Sequence, residues 1–157
     1  RMMVKRAHVL LVLDCCVSGQ MIGRLPEVVH RQAGSSSKLE YSDVLRRLRQ
    51  GSVEVITAST GDDSAKDIEG GLLIRAFIAV LASGTFMTWN RLDRCMSCKT
   101  IPTVFEHKAW VTAQELYEAI RPVVQEAARA VGETQDPKWD WLCRQGDSTG
   151  EVVLFQH

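Results

Sequence analysis

The chain has 157 residues, 45% hydrophobic and 24% charged, which suits one ordinary globular domain with a single core. Nineteen lysines and arginines balance nineteen aspartates and glutamates, so no overall field draws it to nucleic acid or an anionic membrane, and a peptide or protein is the expected partner. No window approaches the roughly 18 apolar residues of a membrane span, and an odd count of five cysteines, two of them adjacent, points to a reducing, cytoplasmic compartment rather than a disulfide scaffold.

Arg1, Lys5 and Arg6 precede an apolar stretch in the manner of a signal peptide. The aliphatic run Val9 to Leu13 is shorter than such a segment requires, and no small-residue cleavage site follows. A start at Arg1 rather than methionine suggests a processed product or a fragment. Val9 to Leu13 reads as a strand buried on both faces of a parallel sheet. It runs into Asp14-Cys15-Cys16-Val17-Ser18-Gly19, placing a thiol at the carboxyl edge where open α/β sheets collect their ligands. The small-residue turn lets backbone N–H groups, that of Cys16 among them, point at a reacting carbonyl oxygen.

Residues 20–51 read as a flexible connection. Arg31 to Lys38 is polar and rich in turn residues. Tyr41, Val44, Leu45 and Leu48 then recur at helical spacing, with Ser42 and Asp43 as start signals and Arg46, Arg47 and Arg49 near the end, where cations suit the helix dipole. A second strand follows over Val53 to Ser59. Leu72 to Ala82 is apolar all round, as for a helix packed tightly on a sheet, and Gly84 is its stop signal. Cys95 and Cys98 form half of a zinc site, to which His107 could add a ligand, or else remain free thiols. Thr112 and Glu115 make a capping box for the clearest helix, 112–131, with Leu116, Ile120, Val123, Val124 and Ala127 as its stripe, Pro122 as a kink and Gly132 as its end. Trp139 to Leu142 and Val152 to Phe155 read as a hairpin-like pair around a turn at 146–150. The tryptophans are more in keeping with a core or dimer contact than with a ligand platform.

An apolar strand running into Asp-x-Cys-x-Ser-Gly resembles the active-site strand of metacaspases and related caspase-like cysteine peptidases, with Cys16 on the nucleophile. The similarity continues through the strand ending in Ala58-Ser59, the loop Gly61-Asp62-Asp63-Ser64-Ala65, the Gly70-Gly71 pair and the helix after it. It reaches Val111 to Tyr117 and Gln135-Asp136-Pro137. The resemblance implies an α/β fold, a caspase-like three-layer sandwich with a mostly parallel central sheet and helices on both faces, in which 1–157 is the nucleophile-bearing part of the catalytic domain. No cofactor and no metal are expected. Asp14, Ser59, Asp62 and Asp63 would line a pocket for arginine or lysine at the cleavage position, where a carboxylate pairs strongly with a guanidinium. Asp62 and Asp63 could equally cap the next turn, and Ser64-Ala65-Lys66 resembles a caspase motif that binds an acidic side chain instead. Arg24, Arg31 and Lys38 would be processing sites in the connection after the nucleophile, and Gly23 stands where calcium-dependent members carry a further acid.

The family takes its general-base histidine from a Gly-His-Gly turn roughly 50 residues before the cysteine, whereas 15 residues precede Cys16 and no His-Gly pair occurs. His8 lies six residues before Asp14, about 20 Å along a strand and beyond hydrogen-bond reach. His30, His107 and His157 are no better placed. The histidine is therefore expected on a missing segment or a second chain. Two readings follow: a cysteine endopeptidase of the caspase or metacaspase type cutting after Arg or Lys, or a catalytically inactive module that binds or scaffolds partners in signalling. The resemblance leaves room for a dimer through the last strand.

Overall fold

The computed structural model describes residues 7–15, 42, 45, 48, 51–59, 71–82, 84–90, 94–106, 108–143 and 151–156. Strand β1 (His8–Leu13) runs parallel to β2 (Ser52–Thr57), in register from His8 opposite Ser52 to Leu13 opposite Thr57. On the other side of β2, β6 (Lys138–Cys143) pairs antiparallel, with an irregularity between Val53 and Glu54. Between them come α1 (Leu72–Ala82), the hairpin of β3 (Thr85–Asn90) and β4 (Cys95–Thr100), then β5 (Trp110–Thr112) and α2 (Ala113–Ala130). The last strand, β7 (Val153–Phe155), pairs antiparallel with β5. Ser42, Leu45 and Leu48 are helical, in keeping with the spacing of apolar residues there.

The expected three-layer sandwich is overturned. Among the described residues the sheets have two or three strands, the largest is ordered β1-β2-β6, and its second pairing is antiparallel. Among the described residues no broad parallel sheet stands between layers of helices. The misleading signal was the aliphatic run in β1, which suggested burial on both faces. In the fold Leu10 and Val12 pack on the core while Val9 and Leu11 are 37% and 36% exposed. One side of an edge strand is thus open, and alternation rather than continuous burial governs it. The expected hairpin of the last two strands is also replaced: β6 joins β2, and β7 joins β5. The two halves of that segment find partners far away in sequence.

The core lies where α1 and α2 cross the face of β2 that carries Ile56 and Ala58. Leu72, Leu73, Ala76 and Val80 meet Leu116, Ile120, Val124 and Ala127 there, with Phe86 and Ile101 from the hairpin closing one side. Helix α1 is not covered all round, since Ile78 is 58% exposed. Its end matches expectation, Gly84 N–H donating to the Ala79 carbonyl at 3.0 Å.

Helix α2 is capped as its sequence predicts. Thr112 Oγ1 accepts from Glu115 N at 3.1 Å, and Glu115 Oε2 accepts from Thr112 N at 2.9 Å. Pro122 lies inside the helix. Gly132, at φ +78°, donates to Arg129 O, and Glu133 N donates to Ala128 O, the paired bonds that close a helix through a left-handed residue. The chain then passes Asp136, which receives Arg121 Nε and Nη2 at 2.7 and 2.9 Å and Gln125 Nε2 at 2.8 Å. Tyr117 Oη donates to the Pro137 carbonyl at 3.1 Å. These bonds fix the approach to β6 against α2.

Candidate functional site

Parallel pairing brings the ends of β1 and β2 out at the same edge. Ala58 N–H donates to the Leu13 carbonyl at 3.0 Å, so Asp14-Cys15 and Ala58-Ser59 leave side by side. Asp14 is half-buried and reaches past β2 to the beginning of α1, where its Oδ2 accepts the Ile74 N–H at 2.9 Å. Cys15 is an exposed free thiol. Ser59 is wholly buried; its carbonyl accepts from Thr57 Oγ1 at 3.0 Å, and its Oγ has no hydrogen-bond partner among the described residues. Of the residues singled out from sequence, Asp14 and Ser59 are therefore at one edge. Cys16, Asp62 and Asp63 lie outside the described residues, as do Arg24, Arg31, Lys38 and the Ser64-Ala65-Lys66 motif.

Gly71 explains how Asp14 comes so close. A Cβ built there would stand 3.0 Å from Asp14 Cγ and nearer still to Oδ2, and the backbone holds φ at +88°. Glycine alone meets both conditions without strain.

Toward the opposite end of the two strands lies a second polar group, which no sequence motif marks. Glu54 is fully buried in β2. Its Oε1 accepts from Val152 N at 2.5 Å and its Oε2 from Trp139 Nε1 at 2.9 Å, while the Ser52 hydroxyl, two residues away on the same face, also bonds the carboxyl group. Burial pushes the Glu54 pKa above the ordinary carboxylate range, against the pull of the Val152, Trp139 and Ser52 bonds and the nearby His8. His8 completes the row: Nδ1 lies 3.2 Å from Ser52 Oγ and Nε2 lies 3.0 Å from the Leu48 carbonyl. A carbonyl can only accept, so Nε2 carries a proton. The available signal was a lone acid inside the apolar run Val53-Glu54-Val55-Ile56.

His8, the one histidine among the described residues, thus sits at the far end of β1 from Asp14, held by Ser52 and Leu48. The tryptophans have structural work: Trp139 packs on the core, stacks on Tyr117 with centroids 6.5 Å apart and touches Trp141 at 4.4 Å. Cys98 is an exposed free thiol on β4, and no cluster of three or more metal-ligating side chains occurs among the described residues. No helix among them is long and apolar enough to cross a membrane. Comparison with protein-family models, with curated proteins and with solved structures found no match to this chain.

Proposed function

We propose that this chain is the nucleophile-bearing part of a cysteine endopeptidase with the chemistry of caspases and metacaspases, cutting protein substrates after Arg or Lys. The observation that carries the reading is the common edge at which β1 and β2 end, because it delivers the run leading to Cys16 beside Ser59 and the start of α1. In this reading the Cys16 thiolate attacks the scissile carbonyl carbon and forms a thioester. The amine departs with a proton supplied by a histidine from outside this chain, and water then releases the acid. Backbone N–H groups at the Cys16 turn hold the oxyanion. Asp14, Asp62 and Asp63 bias the site toward a basic side chain. The odd cysteine count, with Cys15 and Cys98 unbridged, favours a reducing compartment such as the cytoplasm.

The test is hydrolysis of fluorogenic Arg and Lys peptides by the protein assembled with the chain or segment that supplies the histidine. Cys16→Ala is expected to abolish cleavage and Cys15→Ala to spare it; cleavage that survives Cys16→Ala sinks the assignment. A second reading, an inactive binding or scaffolding module, draws on one observation. His8 is tied to Ser52 and Leu48 at the other end of β1, away from Asp14. Absence of thiol-dependent cleavage in the assembled protein favours this second reading.

A further inference from the structure

We infer that Asp14 is a positioning residue whose carboxylate clasps the start of α1 and so fixes the end of β1, two residues before Cys16 in sequence, with Gly71 as the seat of the clasp. The inference rests on the reading of Cys16 as the nucleophile. The first turn of α1 has no acidic residue of its own, although the unpaired N–H groups and positive dipole end there favour one. Gly71 occupies the N-cap, its carbonyl accepting from Arg75 N at 3.3 Å, and a glycine has no side chain with which to cap. The cap is supplied instead by Asp14, 60 residues before its donor Ile74. A serine or aspartate at 71 would place a Cβ against that same carboxylate. The local cap and the distant one are mutually exclusive, and the sequence carries the distant one. Its consequence is mechanical. The residue two positions before the proposed nucleophile is fastened to a helix packed into the core, so the strand end cannot swing independently of α1.

Three measurements on this chain test the clasp. Asp14→Ala and Gly71→Ala, made singly and together and followed by urea unfolding, should be non-additive. Removing the carboxylate relieves the contact but not the strain at φ +88°, so Gly71→Ala should cost about tenfold less in the folding equilibrium when Asp14 is already alanine. Amide exchange at Ile74 should quicken about tenfold in Asp14→Ala and be largely rescued in Asp14→Asn, which keeps an acceptor oxygen. In a Cys15→Ser background, the pH profile of Cys16 alkylation should move to lower pH in Asp14→Asn, because a negative charge two residues away is lost. Additive substitutions, unchanged exchange at Ile74, or coincident alkylation profiles each overturn the inference. Absence of Cys16-dependent cleavage with the cycle non-additive and the profile shifted overturns the peptidase reading and leaves the clasp standing. Cleavage with an additive cycle does the reverse.

Discussion

The two ends of the β1–β2 pair solve one problem in two ways. Each carries a carboxylate withdrawn from water, and each satisfies it with a backbone N–H from a distant segment: Val152 for Glu54, Ile74 for Asp14. At the amino end the acid is fully buried and joins Ser52, Trp139 and Val152 in one network, with His8 beyond Ser52. At the carboxyl end Asp14 is half-buried and its partner belongs to a helix start. The lesson concerns dielectric. Where burial is complete, desolvation outweighs the hydrogen bonds and the pKa rises, whereas a helix terminus offers a favourable field beside solvent. One end is built for cohesion, and the other leaves a carboxylate within two residues of Cys16.

The comparison breaks most sharply at Glu54. Glu54→Ala takes the acceptor from Val152 N, Trp139 Nε1 and the Ser52 hydroxyl and is expected to cost about 3 kcal/mol in urea unfolding, with Glu54→Gln about half as costly because its amide keeps one acceptor oxygen. Asp14→Ala should cost about 1 kcal/mol, the loss of a helix cap. Thr112→Ala provides a calibration at about the same size, since it removes a local cap of α2. An Asp14→Ala cost well above that of Thr112→Ala would mean that the distant cap does more than cap. Gly132→Ala, at φ +78° with nothing within 4 Å of a new Cβ, isolates backbone strain at about 1 kcal/mol, and Gly71→Ala should exceed it.

The smallest effect is that of pH, and it has opposite signs in two places. The raised pKa of Glu54 means that the folded chain holds this proton more tightly than the unfolded one. The stability so gained is complete below the ordinary carboxylate pKa and is lost as pH rises through the Glu54 value. Wild type should therefore lose stability relative to Glu54→Gln over that rise. Asp136 is the contrary case: hydrogen bonding from Arg121 lowers its pKa, so its contribution is present above the ordinary value and lost as pH falls through the lowered one. The pair is partly exposed and should be worth about 0.5 kcal/mol, read from Arg121→Ala in the same titration.

The local signals that end and cap helices were legible in the sequence. The capping box of α2, its apolar stripe and the left-handed close at Gly132 are all in the structure. Both strands flanking the candidate site are present too, within a residue or two of their expected limits. Long-range pairing was not legible. Nothing in Trp139 to Phe155 says that β6 seeks β2 while β7 seeks β5, because the alternation of side chains is the same whichever partner is taken. The β3–β4 hairpin is not evident from the Cys95–Cys98 spacing, although Phe86 inward and Met87 outward mark an alternating strand. At the site, Asp14 was picked out for its likeness to a substrate-binding acid, and its bond to Ile74 could not be read from residues 60 apart. Glu54 went unremarked because a single acid among valines carries no sign of Trp139 or Val152.

The Glu54–Val152 bond spans 98 residues, and from this separation an order of events in folding is expected. Until the segment carrying Val152 arrives, the acid on the middle strand of the sheet lacks one of its two N–H donors and remains more comfortable in water than in an apolar interior. The β1–β2–β6 sheet is therefore expected to reach its final state only once the segment carrying Val152 has docked. A contact of such separation is closed at the expense of loop entropy and is expected to form late. Ribosome-bound chains halted before residue 152 should accordingly hold α1 and α2 more readily than the β1–β2–β6 sheet.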